Sequence, residues 1–423
     1  MKQLFWCALV CLGGLHTTVA QINWVKWMPG DTSQGLFITA DKSGHTYVTG
    51  KFYGIVSIDD HALTSRGDSD VFVLSLNKDG DVKFLTSFGS PGADFPTAIA
   101  VTPDGIVFVA ARSVLETLLP DGDVLTETGA SVTKFDKDGD VKWSRELEDT
   151  NSTVVSMMTE HGNEELWLCG FGSDGLFISA HNKKGEEVFR TSTSLPPEVT
   201  VSAMTFDREH NIVVNGSWSG RPKLGQLDFP FGPYPVGRSL NFAAKFGTSG
   251  DWLWIGNGLL AYGTYFHVDV TPVAMASDVN GDVFTTGQVT DATLFVTHHS
   301  STGQLVGATT RSEFRGSYGG LDIAVDRSGD SYTVGYGVGS WSNPSHRFAA
   351  LIIGPNFEYR IRSTRLEDRS YARGICLDNY NRIYVAGDFT GTATFGSELH
   401  GDAESSSSHA FVMRIDDAAH QKN

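Results

Sequence analysis

The sequence predicts an all-β fold: a seven-bladed beta-propeller of four-stranded antiparallel blades, closed by an N-terminal strand that completes the last blade. Three observations predict it. A two-strand segment recurs along the chain, a second strand pair follows each copy, and the two ends of the chain are complementary fragments of one unit. The recurring segment reads "FITADKSGHTYVTG" (37–50), "AIAVTPDGIVFVAA" (98–111) and "MMTEHGNEELWLCG" (157–170). It returns as "AMTFDREHNIVVNG" (203–216), "AMASDVNGDVFTTG" (274–287), "DIAVDRSGDSYTVG" (322–335) and "GICLDNYNRIYVAG" (374–387). Each copy is an apolar strand, a polar turn and a second apolar strand. The glycine or alanine at its end implies a sharp turn or a close approach to a neighbour.

The second pairs are clearest in "DVFVLSLNKDGDVKFLTSF" (70–88) and "SVTKFDKDGDVKWSREL" (131–147). Asp-Gly between two alternating runs is a hairpin signal. The last unit supplies "HAFVMRIDD" (409–417) and no fourth strand, whereas "QINWVKWMP" (21–29) has no partner before it. Residues 22–28 are therefore expected to close the ring, which protects the sheet edges and ties the termini together. The expected units are 36–88, 97–147, 154–193, 200–258, 272–310, 320–365 and 372–416 plus 22–28. All lie in a single domain, 21–423, with long surface insertions at 112–130, 219–240 and 390–409.

Residues 1–20 read as a secretory signal peptide. Lys2 is followed by an apolar run from Leu4 to about Leu15, and Thr18 and Ala20 fit the small residues before a cleavage point. The expected location is secreted and extracellular, or periplasmic or cell-surface in a bacterium. No later segment has the length and purity of a membrane-spanning helix. The formal charge of −17 opposes nucleic acid as a partner. Cys7 and Cys11 leave with the leader. Cys169 and Cys376 are expected as buried thiols, with a bridge between them as the alternative.

Does "FDKDGDVKW" (135–143) bind calcium? Placing Gly139 at the sixth position of a calcium loop puts Lys134 at the first, and the flanks alternate as strands rather than helices. The equivalent turns "NKKGEE" and "GTSGDW" keep the glycine and lose the acids. The expected role is a turn. Asp41, Asp104, Asp207, Asp278, Asp326 and Asp378 follow the first strands, and are expected to fix turns by accepting backbone N–H groups. A weaker alternative gathers several of these carboxylates around a calcium ion at one mouth of the ring. No other cofactor is expected. Trp24, Phe84, Trp143, Phe189 and Trp254 share one place in the fourth strands, where packing between units is expected.

No G-x-S-x-G elbow, H-E-x-x-H helix or phosphate loop is present. His298 and His299 are neighbours on a strand and point to opposite faces. His61, His267 and His346 have no sequential partner. No catalytic, cofactor-binding or metal residue is assigned. Asn151 ("NST") and Asn215 ("NGS") are glycosylation sequons, Asn151 the more accessible in an interblade loop.

The units "ITADKSGHTYVTG" with "SDVFVLSLNKDGDVKF", and "IAVDRSGDSYTVG", resemble the bacterial-type beta-propeller repeat (SBBP-like) of secreted and surface proteins. More distantly they resemble NHL and quinoprotein propellers. The resemblance implies a binding, adhesion or scaffold module with an extracellular protein or glycan ligand, and weighs against an enzyme. The alternative is a secreted propeller enzyme with an axial site, either a calcium-dependent lactonase or esterase or a quinone-dependent dehydrogenase.

Overall fold

The computed structural model describes residues 21–125, 129–149, 151–159, 164–229, 240–257, 270–289, 293–311, 317–338, 346–347, 350–353, 359–362, 370–395, 398–401 and 405–416. The leader expected at 1–20 lies outside these residues. Every helix-or-strand element among them is a β-strand. In chain order, the first sheet holds Gly30–Ala40, Thr46–Ile58, Asp70–Leu76 and Val82–Phe88. The second holds Phe95–Val101, Val107–Ser113, Gly129–Phe135 and Val141–Glu146. The third holds Thr153–Thr159, Leu166–Gly172, Gly175–His181 and Glu187–Thr193. The fourth holds Val199–Phe206, Ile212–Trp218, Leu240–Phe246 and Trp252–Asn257.

The fifth sheet holds Val270–Ser277, Val283–Val289, Thr293–His299 and Leu305–Arg311. The sixth holds Ser317–Val325, Ser331–Val338, Ala350–Ile353 and Tyr359–Arg362. The last holds Ser370–Leu377, Ile383–Thr390, Ser408–Asp416 and, from the other end of the chain, Gln21–Trp27. The expectation of seven four-stranded blades is corrected here. Five of the sheets have four strands and two have five. The first gains His61–Thr64 and the sixth gains His346–Arg347, both paired with the second strand. The insertions also fold into separate two-stranded hairpins, Thr117–Leu118 with Val124–Leu125, Lys223–Leu224 with Leu227–Asp228, and Thr392–Phe395 with Glu398–Gly401. Extra strands form because the long connections carry enough alternating apolar residues to pair on their own.

First strands of consecutive sheets pack beside one another around an axis, and that of the last sheet lies against that of the first. The third strand of the first sheet is covered on both faces: every residue of Asp70–Leu76 is buried. The core lies between sheets. Phe72, Leu74 and Val48 of the first sheet pack on Tyr384, Ala386 and Val412 of the last. Val71, Val73 and Phe88 pack on Val107, Val109 and Phe135 of the second. Each buried phenylalanine contributes roughly 1.5–3 kcal/mol.

The seam is made by backbone. Gln21–Trp27 pairs antiparallel with Ser408–Asp416, with Trp27 opposite Phe411 and Ile22 opposite Ile415. Past its end, Met28 N donates to Ala410 O at 2.8 Å, and Ala410 N donates to the buried Ser33 Oγ at 2.9 Å. Lys26 forms an ion pair with Asp59 at 2.8 Å, which ties the seam strand to the first sheet.

One device builds both tight turns. Asp41 Oδ1 accepts the N–H groups of Ser43 and His45 at 2.8 and 2.9 Å. Asp207, Asp278, Asp326 and Asp378 accept from the residues two and four positions on in the same way. Asp104 departs from the expectation. It is exposed and pairs with Lys42 at 2.5 Å, while Thr102 Oγ1 holds that turn through Ile106 N. In the outer hairpins Asn77, Asp136 and Asn182 repeat the pattern, so the acidic stretch 135–143 is a turn.

The outer-strand aromatics latch each sheet onto the next hairpin. Trp24, Trp143 and Trp254 donate their indole N–H to the carbonyls of Lys78, Lys183 and Ser301 at 3.2, 2.9 and 3.1 Å. Their rings lie over Gly80, Gly185 and Gly303, where a Cβ would come within 2.8, 3.0 and 2.5 Å. Phe84 covers Gly139 likewise. The hairpin glycine thus serves twice, for its positive φ and for the ring it admits. Phe189 departs from the pattern by packing on Trp167 of its own sheet.

Candidate ligand site at the mouth of the ring

Strands alternate in direction, so the first strands begin and the second strands finish at the same end of the ring, opposite the Asp-built turns. At that end one local geometry recurs. Each first strand carries a β-bulge, at Leu36, Thr97, Val155, Ser202, Val273, Leu321 and Arg373. The bulge brings a first-strand carbonyl onto the facing residue of the second strand. A Cβ on Gly50 would sit 1.9 Å from Gln34 O, and one on Gly387 would sit 2.0 Å from Tyr371 O. This close approach is what the recurrent glycine serves. It does not end the strand, which runs on through Ile58 in the first sheet and Thr390 in the last.

The residue after that glycine or alanine is the first partly exposed one in five of these strands; Trp167 opens earlier in the third sheet, and in the last sheet the position is buried. In chain order it is Lys51, Arg112, Phe171, Ser217, Gln288, Tyr336 and Asp388, the first six partly exposed and Asp388 buried. Each pairs across the ladder with a first-strand residue: Lys51 with Gln34, Arg112 with Phe95, Tyr336 with Gly319, Asp388 with Tyr371. Bulges re-aim side chains, and here one residue per sheet lies next to the first strand at the end of the ring where the first strands begin. Val273 is 38% exposed there. Repeat alignment would have revealed these residues as one variable column beside a nearly constant one. Reading the glycine as a strand terminator hid them.

Chemistry concentrates on the fifth to last sheets. Arg373 is a bulge residue, and its guanidinium is held by the buried carboxylate of Asp388 and lies 4.7 Å from the Tyr371 ring centroid. Asp388 also accepts from Ser408 Oγ at 3.0 Å, so the carboxylate is fixed before any ligand arrives. The Tyr336 and Tyr371 rings are 5.8 Å apart. Tyr336 fits because Gly319 leaves room: a Cβ there would be 2.6 Å from its ring. Its hydroxyl donates to Gln288 Oε1 at 3.1 Å.

Asp322, next to the sixth bulge, is partly exposed yet closely surrounded by protein. Its Oδ2 accepts the Ile375 N–H of the last sheet at 2.8 Å. Burial pushes its carboxyl up to about 7, against the lowering effect of the Ile375 and Ile323 N–H groups. Burial, with the charges of Asp322 and Asp378, pushes the Cys376 thiol up as well.

The histidines, cysteines and sequons singled out in the sequence fall elsewhere. His298 bonds Asp282 at 2.9 Å and stacks on Phe284, while His299 is buried on the other face. His61 is exposed, His267 lies outside the described residues, and His346 is described in its backbone alone. Cys169 and Cys376 are free thiols. Asn151 is exposed. Asn215 is fully buried, donates to Thr285 Oγ1 and accepts from Asn241, which leaves no room for a glycan in the folded chain. Among the described residues no three His, Cys, Asp or Glu side chains gather as a metal set. No described helix is long and apolar enough to cross a membrane.

No family model and no curated protein sequence matches the chain. Among solved structures, a catalytically inactive virginiamycin B lyase from Staphylococcus aureus with quinupristin superposes over 92% of this chain and 98% of its own, at TM-score 0.52 and 11% identity. This chain is an all-β propeller. The expectation that weighed against an enzyme is corrected by the same match. A lyase uses this architecture, so repeat coverage without a local catalytic motif gives no ground against catalysis. The propeller also matches a protein from Lactobacillus plantarum (10% identity, 92% of this chain and 99% of that one, TM-score 0.45) and one of unknown function from Bacteroides caccae (12%, 69% and 89%, TM-score 0.42).

Proposed function

We propose that this propeller is an exported enzyme that takes a small organic substrate at the axial mouth and moves a proton there. Export rests on the leader-like residues 1–20, and the unit signature keeps the chain beside the bacterial-type propeller repeats. The observation that carries the reading is the pre-set cluster of Arg373, Asp388, Tyr371 and Tyr336 at the axis, with Asp322 one bulge position away on the neighbouring sheet. A carboxyl titrating near neutrality beside a channel suits general acid or base work. An arginine clamped by a buried carboxylate offers its remaining N–H groups to charge that develops on the substrate. Tyr336 and Tyr371 supply flat apolar walls, and the Gln288 amide nitrogen remains to orient a polar group. The lyase propeller supports the reading as a precedent for chemistry on this fold.

The test is a small-molecule thermal-shift screen on the wild-type protein and on Ser217→Trp, which plugs the mouth from a position of partial exposure. Hits at the mouth lose their shift in Ser217→Trp. Those hits are then incubated with wild-type protein and with Asp322→Asn, and the product mass is followed. Turnover by the wild type and at least a hundredfold loss in Asp322→Asn is expected. Equal shifts in wild type and plugged variant would overturn the site, and binding without turnover would leave a binding module in place of the enzyme.

A further inference from the structure

The mouth is electrically lopsided. Its cations come from three consecutive sheets around the ring: Arg373 on the last, Lys51 on the first and Arg112 on the second. Arg373 has one carboxylate partner, Asp388. Among the described residues Arg112 is held by neutral acceptors, the Asn151 and Ser152 carbonyls at 3.4 and 3.5 Å and Thr153 Oγ1 at 3.2 Å. Lys51 lies 5.9 Å from the Tyr53 ring centroid and has no carboxylate partner among the described residues. Among the described residues these three cations are ion-paired with one carboxylate, Asp388, while Asp322 and Asp149 at the same end accept from backbone N–H groups, on a chain whose formal charge is −17. A local positive arc on an acidic protein is not a solubility device; it concentrates anions where the rest of the surface repels them. Across the ring, the equivalent positions are uncharged hydrogen-bonding groups: Thr200 paired with Ser217, and Thr271 paired with Gln288.

We propose that the mouth selects a hydroxylated organic anion, of the chemistry of a sugar acid. Its carboxylate lies against the arc of Arg373, Lys51 and Arg112, and its hydroxyls face the fourth and fifth sheets. This rests on the reading of the mouth as the ligand site. The arc alone would take any oxyanion. The opposite arc of hydroxyl and amide groups has no use for a bare ion, and the tyrosine pair suits the apolar face of a sugar ring.

Isothermal titration of the full mature chain with glucuronate, glucose and inorganic sulfate at 50 mM and 500 mM NaCl tests it. Glucuronate is expected to bind at least tenfold more tightly than glucose or sulfate, and to weaken at the higher salt. Lys51→Glu should lower glucuronate affinity about tenfold or more, and Lys51→Arg should stay within about threefold of wild type. Lys51 is partly exposed, and an unchanged melting temperature in both variants confirms the fold. Glucose binding as tightly as glucuronate, sulfate binding alone, or an unaltered affinity in Lys51→Glu would each overturn the proposal. Ser217→Trp separates the two readings. If neutral hits are lost in the plugged variant while glucuronate never binds the wild type, the mouth stands and the anion fails. If glucuronate binds the plugged variant unchanged, both fail.

Discussion

Asp322 shows how one side chain joins stability to chemistry. Its carboxyl is raised from 3.8 to about 7 by burial. Between about pH 4 and pH 7 the folded chain therefore holds a proton that the unfolded chain has released. The stabilisation is full below the unfolded value and is lost as pH rises through the folded one. Asp70 and Asp94, also raised by burial, add in the same direction. Asp322→Asn keeps an acceptor for Ile375 N and removes the titration. Urea denaturation at stepped pH should show the variant more stable than wild type at pH 8, by on the order of 1–2 kcal/mol, with a flatter profile from pH 4 to 7. A wild-type slope in the variant would place the proton elsewhere. Trp143 makes a residue-scale contribution of another kind. Trp143→Ala removes a ring that covers Gly185 and a bond to Lys183 O. A loss of about 2–3 kcal/mol in denaturant unfolding is expected, with ligand affinity at the mouth unchanged in the folded fraction.

At the scale of the strand, the bulge explains what the glycine is for. Gly50→Ala would drive a methyl group into Gln34 O, and a cost of about 2 kcal/mol or more is expected from thermal or urea unfolding. The second sheet natively holds Ala111 at this place, opposite Pro96. Ala111→Gly should cost no more than about 1 kcal/mol, which separates a local clash from a general effect of glycine in strands. The strand pairs, their hairpins and the turn role of the aspartates were legible, because alternation and Asp-Gly chemistry are local signals. Asp104 misled because a threonine two positions earlier serves as well. The bulge was not legible, since it lives in the pairing of two strands and its residues range from Leu36 to Arg373. Asp322 was out of reach too: the N–H that holds it lies 53 positions on. The extra strands of the first and sixth sheets and the mouth column escaped for a related reason, since each belongs to a connection or strand continuation past a glycine that reads as a stop.

For the whole molecule, the ring is held shut by a seam between the two ends of the chain. Removing residues 21–27 would bare one edge of Ser408–Asp416 and uncover Phe389, Met413 and Ile415, which pack beside Ile22, Val25 and Trp27. Calorimetry should show a broad, lower-temperature transition in place of one sharp transition, and size-exclusion chromatography should show association through the bared edge. Adding a peptide of residues 21–29 should restore the sharp transition; a truncated chain that melts like the full one would show the seam to be dispensable. The seam also constrains the order of manufacture. Asn23 and its partner Asp416 are 393 positions apart, so the earliest-made strand of the ring must stand idle until residues 408–416 have emerged. A prematurely terminated chain has nothing to zip against it. Closure of the ring thereby reports that residues 408–416 have been made.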